Sequence, residues 1–165
     1  MMSKKHLVGL ATVLIAATVA SGWLLEPTQE ITLAVNVAGA PAEVYRLVSD
    51  PRQPWRSSLA SVTVHDSVTW TEQPDRGAPI RFVRTAADPG RRFAVSFASS
   101  SFSGTWEGRF ESLGADSTRL TFIEQVSVPS PWLRSISRLF FGPERAMQKY
   151  TTELREATAV RVGGR

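Results

Sequence analysis

The sequence predicts an α+β fold in which a curved antiparallel sheet of about seven strands closes around one long C-terminal helix. Three observations carry this expectation. Apolar and polar residues alternate strictly in the segments 30–37 and 102–110, the period of a half-buried strand. After Pro131 the apolar residues recur at helical spacing instead. Between these regions, Gly, Pro, Asp and Ser punctuate short segments at regular intervals. Composition permits such a core: the chain has 165 residues, 42% of them hydrophobic, including 8 Phe, 5 Trp and 2 Tyr, which excludes a disordered protein. Cysteine is absent, so disulfides, thiolate metal sites, a Cys nucleophile and a lipidated N-terminal Cys are excluded. His6 and His65 are the only histidines, too few for a His-rich metal site, and no metal or other cofactor is expected.

The first element is a leader, residues 1–25. Leu7–Leu25 carries no charge, follows Lys4, Lys5 and His6, and ends at Glu26-Pro27. As a helix it would be about 28 Å long, enough to cross the hydrocarbon layer. Trp23 near the far end suits the membrane interface, and the two lysines favour a cytoplasmic N-terminus. The leader is therefore expected to be a single-pass transmembrane anchor that holds the domain on the extracytoplasmic side. The alternative is a cleaved signal peptide with Ala20-Ser21-Gly22 as the cleavage site, which leaves the domain secreted or periplasmic. Beyond the leader every cation except Lys149 is Arg, and these are scattered along the chain, so no nucleic-acid footprint is expected.

The folded domain is expected over residues 26–160. Ile31, Leu33, Val35 and Val37 form the apolar face of the first strand. Gly39-Ala40-Pro41 breaks it, and Pro41 suits the first turn of a helix to Val48 with Val44, Leu47 and Val48 inward; Ser49-Asp50-Pro51 ends that helix. A second short helical or turn segment follows Trp55. Val62–Asp66 and Val68–Glu72 then read as antiparallel neighbours, followed by Pro79–Thr85, Arg91–Ala98, Phe102–Ser112 and Ser117–Val128. Within Phe102–Phe110 the apolar face includes Gly104 and Gly108 beside Trp106, which suggests a strongly curved sheet around a space. From Pro131 to Ala159, Trp132, Ile136, Leu139, Phe140, Met147, Tyr150, Leu154 and Ala157 mark one amphipathic helix, kinked or broken at Gly142-Pro143. Residues 161–165 should fray.

A first strand, two short helices, six strands and a long terminal helix make the layout of a helix-grip fold. Here the chain resembles the START-like superfamily also called SRPBCC or polyketide cyclase/dehydrase and lipid transport, in its membrane-attached branch. The resemblance rests on Ile31–Asp50 followed by Trp55, and on Phe141-Gly-Pro-Glu-Arg-Ala-Met-Gln-Lys-Tyr150 with Leu154. It covers roughly residues 28–159. It implies a Bet v 1-like cavity between sheet and helix, lined by large apolar side chains with a few polar groups. The superfamily includes lipid carriers, hormone receptors, aromatase/cyclases and ring-hydroxylase subunits, so the fold alone does not choose among them.

Residues placed by parity on the inner faces are the candidates for ligand binding: Trp70, Phe82, Phe97, Trp106 and Phe122 from the strands, Phe140, Met147 and Tyr150 from the helix, with Gly104 and Gly108 as the gaps. Taken singly each aromatic fits plain core packing better, and it is the gap left by Gly104 and Gly108 that turns the group toward a cavity. Glu124 shares its face with Leu120, Phe122, Val126 and Val128, where a carboxylate must be paired, protonated or solvated. Arg84 stands in the same position beside Ile80 and Phe82, so either the two pair across the cavity or a bulge turns one to solvent. His65 reads as an exposed strand residue, Asp50 as a turn residue, Asp66 as a strand end, and Glu107, Arg109 and Glu111 as a solvated face. Hydrolase carboxylate pairs, a P-loop and a GxSxG are missing. The leading expectation is a membrane-anchored binding protein for a hydrophobic small molecule or lipid. The alternatives are a cyclase- or hydrolase-type enzyme with Glu124 or His65 as base, and an interaction module of the cell envelope with an exposed apolar surface near Phe140-Phe141.

Overall fold

The computed structural model describes residues 22–140 and 143–163, with side chains described for 22–136 and 145–160. The expected membrane anchor, except for residues 22–25, lies outside the described residues, as do Phe141, Gly142 and the side chain of Phe140. Among the described residues no helix is long and apolar enough to cross a membrane.

One sheet contains seven antiparallel strands: β1 (Thr28–Ala38), β2 (Leu59–Val64), β3 (Thr69–Pro74), β4 (Ile80–Asp88), β5 (Arg92–Ala98), β6 (Ser103–Gly114) and β7 (Ser117–Ser127). Their order is β1-β7-β6-β5-β4-β3-β2, so a meander from β2 to β7 is closed by the first strand beside the last. The long β1–β7 register, with Leu33 opposite Phe122 and Val35 opposite Leu120, sets the apolar face of β1 against that of β7. Helix α1 (Pro41–Ser49) carries the chain from one edge of the sheet to the other, and α2 (Pro131–Phe140) and α3 (Pro143–Gly163) follow the last strand.

Pro41 occupies the first turn of α1, where its missing N–H costs nothing. Val44, Leu47 and Val48 are buried as their spacing predicts, and so is Tyr45, which packs edge-on against Phe93 and Phe110 at 6.1 and 5.5 Å. The segment 51–58 is a run of turns rather than a second helix. Its conformation is held by side chains: Asp50 accepts from the Arg52 amide (3.0 Å), and Gln53, at φ 31°, donates from Nε2 to the Val48 carbonyl at the end of α1 (2.6 Å). The first hairpin also differs from expectation. β2 ends at Val64, and Asp66 belongs to the turn, where its Oδ1 accepts from the amides of Val68 (2.8 Å) and Thr69 (2.7 Å).

The C-terminal helix is two helices, with Pro143 as the first residue of α3. α3 lies chiefly along β1 and buries Met147, Thr151, Leu154 and Thr158. The two threonines are tolerated there because each hydroxyl donates back to a carbonyl one turn earlier, Gln148 and Arg155, both at 2.9 Å. The backbone of α3 continues to Gly163, into the segment expected to fray. Trp132, expected inward, is 42% exposed. The covered side of α2 is instead the one bearing buried Ser135, against which Gly22 packs, while Arg134 donates to the carbonyls of Leu25 (2.7 Å) and Pro129 (2.9 Å). Phe122, Leu120, Leu154 and Val44 are fully buried at the centre of the core, each contributing about 1.5–3 kcal/mol of apolar burial.

Candidate ligand-binding site

A cavity of about 480 Å³ lies between the concave face of the sheet and α3. Its apolar wall follows from register. Trp70 on β3 faces Phe82 on β4, Phe82 faces Phe97 on β5, and Phe97 faces Gly104 on β6, so one row of cross-strand neighbours presents three rings in sequence. Trp70 and Phe82 stack almost parallel at 5.4 Å, and Phe82 meets Phe97 at 5.8 Å. Ile80, Val95, Trp106, Val126, Met147 and Tyr150 are among the residues that extend this wall.

The glycines act differently from the sequence expectation. A Cβ on Gly104 would come within 2.6 Å of the Phe97 ring and 2.0 Å of the Gln125 carbonyl oxygen, and one on Gly108 within 2.8 Å of the Trp106 indole. The gaps are seats for aromatic rings of this chain, so neither glycine borders the cavity. Phe122 does not border it either: it is wholly buried between Trp106 (5.3 Å) and Tyr150 (5.5 Å). Of the expected lining, Trp70, Phe82, Phe97, Trp106, Glu124, Met147 and Tyr150 border the space.

At one side the cavity is polar. Arg56 of the turn segment and Glu72 of β3 form an ion pair at 2.9 Å; Glu72 also accepts from Trp70 Nε1 at 3.2 Å, and Arg56 donates to Gln53 Oε1 at 3.2 Å. Each buried group therefore has a partner, as a dry ion pair requires. The Arg56 guanidinium lies 5.7 Å from the centre of the Tyr150 ring, and Trp55 packs on the same ring at 5.0 Å. Burial raises the Tyr150 phenol far above its usual range despite Arg56 and a hydrogen bond with Gln53, so it remains a neutral donor. Ser57 hydrogen-bonds Glu153 of α3, and Lys149 lies 3.7 Å from the same carboxylate. Sequence reasoning missed Gln53, Arg56 and Glu72. Only Glu72 had a periodic signal, since it shares its strand face with Trp70.

Glu124 stands apart. Burial pushes its carboxyl up to about 7, and it makes no hydrogen bond or ion pair with any described residue. The expected Arg84 partner is not there. Parity placed both residues on the inner face correctly, but Glu124 faces Trp106, Trp106 faces Val95, and Val95 faces Arg84. Three strand spacings, about 14 Å along the sheet, separate them. Nor does a bulge turn Arg84 outward: the register shift follows it, between Arg84 and Ala86, and its guanidinium lies 5.8 Å from the ring of Phe93, a lining residue, while Arg84 itself does not border the cavity. Its Nε is buried without a hydrogen-bond partner. His65 is exposed, bonded to Thr71 Oγ1 at 2.9 Å, and does not border the cavity. Among the described residues no cluster of side chains could hold a metal.

No family model matches the sequence, and no curated protein matches it. Solved structures do match in fold. The Zhui aromatase/cyclase of Streptomyces sp. R1128 superposes with a TM-score of 0.72 at 14% identity, covering 82% of this chain and 96% of that one. A START superfamily protein from Mycobacterium smegmatis gives 0.63 at 14% identity over 79% and 97% of the two chains. Norcoclaurine synthase of Thalictrum flavum, in complex with a transition-state analogue, gives 0.63 at 10% identity over 81% and 96%. With its seven-stranded antiparallel sheet and C-terminal helix, this chain has the START/SRPBCC-like helix-grip fold.

Proposed function

We propose that this protein binds a hydrophobic small molecule or lipid in the cavity under α3 and is held at a membrane by residues 7–25, with the domain on the extracytoplasmic side. The observation that carries the binding reading is the row of rings from Trp70 to Phe97 facing a partly open cavity of about 480 Å³. A chain that needed only a core would fill it, because interior packing leaves few voids larger than a water molecule. The anchoring reading is supported by the uncharged run in the sequence and by Trp23 and Leu24, 74% and 88% exposed where the described chain begins. The test uses the full chain recovered from membranes. Its mature N-terminus is read by mass, and Nile red is titrated into the purified protein. An intact leader and saturable Nile red binding that Val126→Trp weakens about ten-fold support both parts. Cleavage near Ser21 removes the anchor, and equal affinity in a folded Val126→Trp variant removes the cavity as the site.

The isolation of Glu124, with a carboxyl that titrates near neutrality inside an apolar cavity, favours one second reading, an acid–base enzyme of the cyclase kind. Turnover of a bound compound by the wild type, lost in Glu124→Gln while binding persists, would select it over a pure carrier.

A further inference from the structure

Resting on that cavity reading, we infer that the preferred ligand is an amine: an apolar, ring-bearing or alkyl body carrying one protonated nitrogen seated against Glu124. The argument is an inventory of charge. Besides Glu124, the charged residues that border the cavity are Glu26, Arg56, Glu72, Arg134, Lys149 and Glu153. Arg56 is bound to Glu72 at 2.9 Å, Lys149 lies 3.7 Å from Glu153, and the Arg134 guanidinium donates to the carbonyls of Leu25 and Pro129. All three cations are engaged by this chain, whereas the Glu124 carboxylate is not. Among the described residues that border the cavity a fatty acid would find each cation already beside a partner of this chain, and where Glu124 is ionised it would meet a carboxylate of its own sign. An ammonium group would find an unpaired carboxylate in a desolvated wall, where a charge-assisted hydrogen bond is strongest.

The surrounding surface suits the same ligand. Glu124 faces Trp106 across the β6–β7 ladder, with Phe97 and Phe82 farther along the wall, and ring faces accept the positive charge and apolar body of an amine. Tyr150, held neutral by burial, adds no competing charge. Because burial pushes the unliganded Glu124 carboxyl up to about 7, it is partly protonated at neutral pH, and the amine displaces that proton on binding. Affinity must therefore rise with pH up to the range where the carboxyl is already ionised.

The experiment uses the full chain in phosphatidylcholine nanodiscs and three probes of one shape, 4-phenylbutylamine, 4-phenylbutanol and 4-phenylbutyrate, each displacing Nile red. At pH 8 the amine should bind at least about ten-fold more tightly than the alcohol, and the acid more weakly than the alcohol. The preference for the amine over the alcohol should shrink at pH 5 and vanish in Glu124→Gln. An amine no tighter than the alcohol, or a preference that survives Glu124→Gln, overturns the inference while leaving the cavity intact. Failure of Nile red and all three probes to bind overturns the cavity reading and the inference with it.

Discussion

The two faces of the β6–β7 ladder treat the same side chain in opposite ways. Glu107 on the convex face is gripped by Arg92 Nη2 and Arg109 Nε, both at 2.6 Å, and the hydrogen bond from Arg92 holds its carboxyl below the usual range. Glu124, on the partner strand and facing the concave side, has no such partner, and burial drives its carboxyl up to about 7. Strand parity sends one carboxylate to the outer face among arginines and the other to the cavity among rings. The contrast teaches that the same side chain on one ladder is held ionised by arginines on the outer face and pushed toward its neutral form by burial on the inner one.

The largest effect that would sharpen this contrast belongs to the one dry pair on the concave side. Glu72→Ala leaves half-buried Arg56 without its carboxylate and buried Trp70 Nε1 without an acceptor. The expected loss is about 3–5 kcal/mol in a denaturant melt. A loss below about 1 kcal/mol would mean that this end of the cavity is as wet as the convex face.

An intermediate effect is expected at Glu124, and its sign is opposite to that of an ordinary ion pair. The folded carboxyl titrates near 7 and the unfolded one near 4.5, so the folded chain holds a proton that the unfolded chain has lost. Stability from this group is complete below about pH 4.5 and is lost as pH rises through 7. Glu124→Gln has no such loss. The ligand-free variant should match the wild type at pH 4 and exceed it by about 2–3 kcal/mol at pH 8. Parallel stability curves across that range would show that Glu124 has a partner or is solvated.

The smallest effect is on the convex face. Glu107→Gln should cost about 0–1 kcal/mol near neutral pH, less in high salt, because the pair stands in solvent with long arginine side chains to order. Its contribution fades as pH falls through the carboxylate range, the reverse of Glu124. A salt-insensitive loss above about 2 kcal/mol would place this cluster in a dry environment and erase the comparison.

Much of the architecture was legible because it is written in local periodicity. Alternation and turn punctuation together located about seven strands, with the second one shifted in its bounds, helical spacing located α3, and parity alone put Glu124 and Arg84 on the apolar face. The expected pairing of those two failed because parity says which face a residue takes and nothing about how many strands lie between. Gly104 and Gly108 were visible as missing side chains, yet what fills the gaps is Phe97 and Trp106, which only the fold brings over them. Gln53 and Arg56 were invisible since they lie in a turn segment, which has no period to read.

The amino-acid sequence by itself determined the element order, the apolar inner faces, the absence of thiol chemistry and the presence of a carboxylate where an apolar residue belongs. All of these are properties of single segments, fixed by backbone period and side-chain type. Only the tertiary structure decided which charges meet. Arg56 reaches Glu72 across the chain while Arg84 lies three strands from Glu124, because Coulomb and hydrogen-bond interactions depend on distances of a few ångströms that strand order, register and the turns after α1 set together.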